Sequence, residues 1–147
     1  MAEPESATPQ TGLDQLLTFT IPARDCRGRV VRLGPVLDEV LGAHDYPPAI
    51  KHVLSEALVL ATLMGGLLKE DGDQLTIQAQ AEGGVISLLV CDYRAGEIRG
   101  YVEHDPAEFD KLGSDPLLTD LFGTGYLAIT FDIAKSLLLY FPISYFQ

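Results

Sequence analysis

The stretch PAIKHVLSEALVLATLMGGLL, Pro48 to Leu68, limits the fold more than any other part of this chain. Apolar residues recur at Ile50, Val53, Leu54, Ala57, Leu58, Ala61, Met64 and Leu68, the 3.6-residue period of a helix. Val59, Leu60, Leu63 and Leu67 widen that stripe almost all round. A helix apolar on most faces has to be buried between layers or covered by another subunit. At ~1.5 Å per residue it spans roughly 30 Å, the width of a small domain. Gly65 and Gly66 near its end each cost about 1 kcal/mol relative to alanine, so they are expected where another backbone comes close. Val53 to Leu68 falls short of the ~20 residues of a membrane span and carries Glu56, so no membrane partner is expected.

The flanking segments supply sheets for this helix to pack on. QLLTFTI alternates, with Leu17, Phe19 and Ile21 on one side and Thr18 and Thr20 on the other, as in a half-buried strand ended by Pro22. RDCRG turns the chain, and RVVRL (Arg29 to Leu33) returns as a second strand. In GPVLDEVLG, Pro35 suits a first helical position, Val36, Leu37, Val40 and Leu41 form a stripe, and Gly42 is a stop. HDYPP reads as a linker and KEDGD as a turn. Leu75 to Gln80, Val85 to Cys91 and Glu97 to Val102 read as an antiparallel meander turned by AEGG and YRAGE. VISLLV is apolar on both faces, which predicts the sheet centre with layers on both sides. DPAEFDKLG has the marks of a capped helix: Asp105 as cap, Pro106 first, Glu108 completing a capping box. SDPLLTDLFG repeats the device, and Gly125 to Asp132 is a further strand. Strands and helices in blocks predict an α+β fold, antiparallel or mixed β-sheet layers packed around a long, largely buried helix. Residues 1–14 are expected to be a disordered acidic tail and 15–132 one domain. Residues 133–147 are an apolar segment, uncharged after Lys135, whose packing the sequence leaves open.

Charge and reactive side chains narrow the function. With 147 residues the chain is long enough to bury a core without staples. A net charge of −11 argues against general nucleic-acid binding. Against that balance, Arg24, Arg27, Arg29 and Arg32 cluster within nine residues. A solvated strand-pair face accounts for them more simply than an acidic-partner patch. Cys91, followed by Asp92, Tyr93 and Arg94, is the candidate nucleophile, with Arg94 the candidate activating cation. Strand alternation groups Cys91 with Val85, Ser87 and Leu89, which favours a buried small hydrophobe instead. Cys26 lies in a turn and is expected to be exposed. The two cysteines and His44, His52 and His104 form no CxxC, HExxH or zinc spacing, so no metal site and no catalytic residue is assigned. Asp38–Glu39 and Glu70–Asp71 read as solvated pairs, and His44–Asp45 and His104–Asp105 as cap or turn residues. Free thiols and the absence of a signal-like N-terminus point to a reducing cytoplasm.

Four separated blocks carry a resemblance: GRVVRLGPVLDEVLGAHDYP, EALVLATLMGGLLK, LTIQAQAEGGVISLLVCDYRAGEIRGYV and GTGYLAITFD. Together, over about Leu16 to Asp132, the chain resembles the N-terminal domain of the redox-regulated thirty-three-kilodalton heat-shock chaperonin family. The resemblance implies a cytoplasmic, ATP-independent holdase that binds unfolding proteins under heat and oxidative stress, and that dimerises when active. It also implies that the family's zinc switch, four cysteines in CxC and CxxC order, lies in a separate C-terminal domain. Neither Cys26 nor Cys91 corresponds to one of those ligands, and no family match is apparent after Asp132. The expectation is therefore a switchless form with no cofactor of its own, whether an excised piece, a natural short form or a frameshifted product. Its partners are expected to be unfolded clients and a second copy of itself, held through an apolar surface whose residues the sequence does not specify. An oligomerisation module without client-holding activity is the alternative, and a Cys91-dependent enzyme the third.

Overall fold

The computed structural model describes residues 12–133 and the backbone of 139–146; residues 1–11 of the expected tail lie outside the described residues. In chain order the elements are β1 (Gln15–Ile21), a 3₁₀ turn (Pro22–Arg24), β2 (Cys26–Arg32), α1 (Pro35–Gly42) and α2 (Pro48–Gly65). There follow β3 (Gln74–Gly83), β4 (Ile86–Arg94), β5 (Glu97–His104), α3 (Pro106–Asp110), α4 (Leu118–Phe122), β6 (Gly123–Asp132) and β7 (Leu139–Phe146). β1 and β2 form a separate two-stranded sheet, and the other five strands form an antiparallel sheet in the order β5-β4-β3-β6-β7. The fold is α+β with antiparallel sheets.

The large sheet puts its apolar positions on one face by strand alternation. Leu75, Ile77, Ala79 and Ala81 of β3 stand in line with Leu89, Cys91 and Tyr93 of β4. α2 covers this face with Ile50, Leu54, Leu58, Ala61 and Gly65, all buried. Two glycines make the contact close. A Cβ on Gly100 of β5 would stand 2.9 Å from Leu54 Cδ1 and 3.1 Å from Leu58 Cδ2, and one on Gly65 would collide with the Tyr93 ring.

α2 departs from the expected long, largely buried helix. It ends at Gly65, and the chain continues in tighter turns, with Leu67 N–H donating to Met64 O and Leu68 N–H to Gly65 O, each at 3.0 Å. The Gly65–Gly66 pair weakens the helix where those i→i−3 bonds take over. Burial is not all-round: His52, Glu56 and Leu60 form an exposed stripe, Leu60 at 40%, and Leu67 just past the helix is 50% exposed. The helix packs mainly on the large sheet, meets α1 and β2 at other positions, and leaves the rest of its surface to solvent. β4 is also not the central strand, since β3 holds that place between β4 and β6. On the far face of β4, Leu88 and Val90 are half-buried beside Asp92.

Polar side chains fix the connections. Asp14, placed at the end of the tail by its sequence, accepts from Gly34 N–H (2.7 Å) and Val36 N–H (3.2 Å) and so caps α1 from twenty residues upstream. Tyr46, in the segment read as a linker, is buried, and its hydroxyl accepts Val102 N–H of β5 at 3.0 Å. Asp105 caps α3 by accepting from Ala107 and Glu108 N–H. The reciprocal half of the box is replaced: Asp105 N–H donates to Val85 O, and Glu108 pairs with Lys111 at 2.7 Å. At α4 the device shrinks to Asp120, which accepts Leu117 N–H at 2.8 Å. The β4–β5 hairpin turns through Ala95 and Gly96, both at positive φ (49° and 79°), as a two-residue loop of the twist-matched kind requires. Backbone pairing with β6 accounts for Leu139–Phe146 of the apolar C-terminal segment.

The two helical glycines separate packing from propensity. Gly65→Ala is expected to lower unfolding free energy in urea despite alanine's better helix propensity, because the added methyl meets Tyr93. Gly42→Ala, with open space around it, is expected to be neutral or to stabilise by up to about 1 kcal/mol. Equal gains at both positions would contradict the close α2–sheet approach.

Candidate functional site

The β1–β2 hairpin stands apart from the large sheet, and its register sorts its side chains. Leu17 faces Val30, Phe19 faces Gly28 and Ile21 faces Cys26, so these residues share one face. Leu16, Thr18 and Thr20 oppose Val31, Arg29 and Arg27 on the other. The first face is apolar and open: Leu17 is 56%, Phe19 43%, Ile21 45% and Val30 53% exposed. The Phe19 ring lies over Gly28, where a Cβ would come within 2.5 Å of its Cζ. The alternation read as a half-buried strand is present, but among the described residues no layer covers its apolar side. Scattered exposed leucines are ordinary; four large apolar side chains on one strand pair are a contiguous patch.

The second face looks toward the end of α2. Arg24, Arg27 and Arg32 are exposed, matching a solvated strand pair, but Arg29 is half-buried beside Gly66. Its Nε would lie 3.6 Å from a Cβ at that glycine. With Leu63, Met64 and Leu67 of the α2 end, Thr18, Arg27 and Arg29 line an open groove of about 470 Å³.

The candidate nucleophile does not have the surroundings of one. Cys91 is fully buried on the α2 face of β4. Burial, with the Asp92 charge adding to it, pushes its thiol from an ordinary 9.0 up to about 12, so it holds its proton at neutral pH. Its sequence neighbours do not converge on it. Asp92 points to the far face, where it accepts from Thr76 Oγ1 (2.5 Å), Arg99 Nε (2.6 Å) and Gln74 Nε2 (3.3 Å). Tyr93 packs on Gly65, and Arg94 is exposed. Cys26 is exposed in the small hairpin.

The remaining titratable groups have structural or solvent-facing places. His44 and His104 pack around Tyr46, ring centroids 5.1 and 5.9 Å away, and His44 also meets Tyr101. His52 sits one turn from Glu56 on the exposed side of α2. Asp38, Glu39, Glu70 and Asp71 are exposed. Among the described residues no three His, Cys, Asp or Glu side chains come together as a metal site. No helix among them is long and apolar enough to cross a membrane.

These features define an α+β domain that presents an uncovered apolar hairpin and, among the described residues, no assembled acid–base or nucleophile cluster. Comparison with known proteins gives the lineage. The family model described as Hsp33 protein matches residues 14–138, so the match runs past Asp132, where no family likeness was expected. The 33 kDa chaperonin of Caulobacter vibrioides (strain NA1000 / CB15N) is 40% identical over 129 residues, covering 84% of this chain and 42% of the relative. The 33 kDa chaperonin of Pseudomonas fluorescens (strain SBW25) is 38% identical over 114 residues, 78% of this chain and 37% of the relative. That of Yersinia pestis (strain Pestoides F) is 34% identical over 123 residues, 83% and 40%. The crystal structure of the 33 kDa chaperonin from Thermotoga maritima superposes with a TM-score of 0.70 at 22% identity, over 90% of this chain and 46% of that one, a likeness of fold. The chain belongs to the Hsp33 family, and it spans about two fifths of the length of the curated relatives it matches.

The thiols separate the enzyme alternative from a packed core. At pH 8 a thiol reagent is expected to modify Cys26 in the native protein and to reach Cys91 only on unfolding. Because the folded state holds the Cys91 proton to higher pH than the unfolded state, that contribution to stability is complete below pH 9 and is lost as pH rises toward 12. Urea unfolding across that window should show a steeper alkaline loss for the wild type than for Cys91→Ala. Fast modification of Cys91 at neutral pH would contradict the buried, protonated thiol.

Proposed function

We propose that this chain is the client-holding part of a chaperone that works without ATP, capturing unfolding proteins on the apolar face of the β1–β2 hairpin. The observation that carries this is the exposure of Leu17, Phe19, Ile21 and Val30 on one strand pair. Unfolding chains have in common exposed apolar side chains, not a particular sequence. A surface that holds them therefore has to offer apolar area without a shaped, selective pocket. Full burial of a large apolar side chain is worth roughly 1.5–3 kcal/mol. These four are already about half covered, so a client covering the rest adds about 1 kcal/mol at each. The chaperonin names of the relatives support the assignment.

The net charge of −11 is consistent with this role, since like charges hinder a sticky protein from collapsing onto its own copies. In this proposal the holding step uses no cofactor, metal or covalent chemistry, and it takes place in the cytoplasm. Self-association through the same hairpin is a second reading, favoured by one observation: among the described residues neither outer edge of the two-stranded sheet pairs with another strand. Unpaired edges are templates for pairing with another chain, and a homodimer formed there would compete with clients.

Light scattering of a thermally unfolding client enzyme tests the proposal. The wild type is expected to suppress aggregation. Phe19→Asp with Val30→Asp, both at exposed positions, is expected to weaken suppression on the order of tenfold or more while leaving the far-UV circular dichroism unchanged. Full suppression by the double variant would remove the hairpin from the role. Absence of suppression by the wild type, with a concentration-dependent dimer in sedimentation that the double variant abolishes, would favour the self-association reading.

A further inference from the structure

Arg24, Arg27, Arg29 and Arg32 place four cations on a hairpin with a single acid, Asp25, in a chain whose net charge is −11. Their cross-strand partners are uncharged: Arg27 faces Thr20, Arg29 faces Thr18 and Arg32 faces Gln15. None of the four is in an ion pair among the described residues, where the pairs are His52–Glu56, Arg99–Asp92 and Lys111–Glu108. Arg27 and Arg29 share one face, while Arg32, opposite Gln15, lies on the face of Val30. Two like charges as close as Arg27 and Arg29 repel one another, and an arriving carboxylate relieves that repulsion while an arriving cation adds to it.

The groove behind the apolar face gives this charge a shape. One wall is the hairpin, with Thr18, Arg27 and Arg29; the other is the end of α2, with Leu63, Met64 and Leu67. Arg27 and Arg29 are alternate residues of one strand, so they project to the same side about 7 Å apart. Arg29 lies along the last turn of α2, whose carbonyl end favours a cation, and this holds it at the groove. An extended segment lying between the walls turns residues i and i+2 to the hairpin and i+1 and i+3 to the helix. The spacing of the two arginines matches carboxylates at i and i+2, which guanidinium forks bind in pairs of hydrogen bonds. The helix wall matches apolar residues between them, with Met64 able to adapt its shape.

We propose that this groove is a second client subsite that selects extended segments in which acidic and apolar residues alternate. The proposal rests on the client-holding role and adds a preference to it. Apolar area on the outer face of the hairpin would hold any unfolded chain, whereas the groove favours those with carboxylates set among apolar residues. Such selection runs against the overall negative field of the protein, so it has to come from this local cluster.

Fluorescence anisotropy with two labelled twelve-residue peptides tests it, one alternating Glu and Leu, the other Lys and Leu. At 50 mM salt the wild type is expected to bind the acidic peptide at least tenfold more tightly, with the gap narrowing as salt screens the arginines. Arg27→Glu with Arg29→Glu is expected to reverse the order. Arg27→Lys with Arg29→Lys keeps the charge and is expected to retain the order with a smaller gap. Equal binding of both peptides, or a ratio unchanged by charge reversal, overturns the subsite and leaves client holding intact. Binding of neither peptide overturns it too, and the aggregation assay then decides separately on client holding. Two other occupants are distinguishable. A dimer broken by Arg27→Glu with Arg29→Glu would assign the groove to a second copy. A gain in acidic-peptide affinity on Glu3→Gln with Glu5→Gln would assign it to the chain's own first residues. Either result overturns the proposal.

Discussion

The packing of α2 on one face of the five-stranded sheet is the contact on which the rest of the molecule depends. Ile50, Leu54 and Leu58 are fully buried against Ile77, Cys91 and Val102, and the approach is close because Gly100 and Gly65 present no side chain where the helix and sheet meet. This contact fixes the place of everything else. The Pro47–Pro48 entry to α2 carries Tyr46 to the edge strand β5, where its hydroxyl occupies the Val102 N–H. The exit at Gly65–Gly66 sends the chain into the turn that Asp73 closes by accepting Lys69 and Glu70 N–H. That same exit leaves Leu63, Met64 and Leu67 beside the hairpin.

The hairpin's exposure follows from the same arrangement. The fully buried stripe of α2 through Ile50, Leu54, Leu58 and Ala61 is taken by the large sheet. What remains for β1 and β2 is the end of the helix, which meets only the side bearing Leu16, Thr18 and Arg29. The opposite side has the composition of a strand face meant to be covered, and among the described residues nothing covers it. An apolar face of this kind costs solubility unless something offsets it. The chain offsets it with charge placed elsewhere: acids at Asp38, Glu39, Glu70 and Asp71 are exposed, while the hairpin carries the arginines.

Much of this was legible in the sequence, and the failures have physical causes. Period 3.6 in Ile50–Ala61 and period 2 in Leu75–Gln80 identify helix and strands because the burial pattern of each is one-sided and regular. The place of the β4–β5 turn is visible in YRAGE, though not the positive φ of Ala95, and the Asp105 cap is visible in Asp-Pro-x-Glu. The extent of burial around α2 was not legible. Leu60 and Leu67 read as core by residue type, yet type alone does not say which apolar face finds a partner. β4 misled for a related reason: Leu88 and Val90 are apolar on the face opposite α2, so the strand looked central when β3 is. Tyr46 and Asp14 were missed because their partners lie 56 and 20 residues away, beyond any local pattern. The candidate surface had a signal in Leu17, Phe19 and Ile21, but alternation distinguishes the two faces of a strand without telling which is covered.

The fate of Cys91 and Arg29 shows why neighbours in sequence are poor guides to a site on a sheet. Cys91-Asp92-Tyr93-Arg94 looks like a catalytic run, but alternation sends Cys91 and Tyr93 to the helix and Asp92 to the other side, where Arg99 from β5 and Thr76 from β3 meet it. The side chains that do converge come from alternate positions and from other elements. Arg27 and Arg29 skip a residue, and the leucines and methionine they face are more than thirty positions along the chain. Cys91, with no cation or histidine aimed at it among the described residues and with dry surroundings that disfavour its charge, serves as packing. Arg27 and Arg29, by contrast, stand at the border of an open apolar surface and, among the described residues, form no ion pair. On this fold α2 and the buried Leu121 and Phe122 of α4 pack against the large sheet, and the apolar face of the β1–β2 hairpin is left open among the described residues.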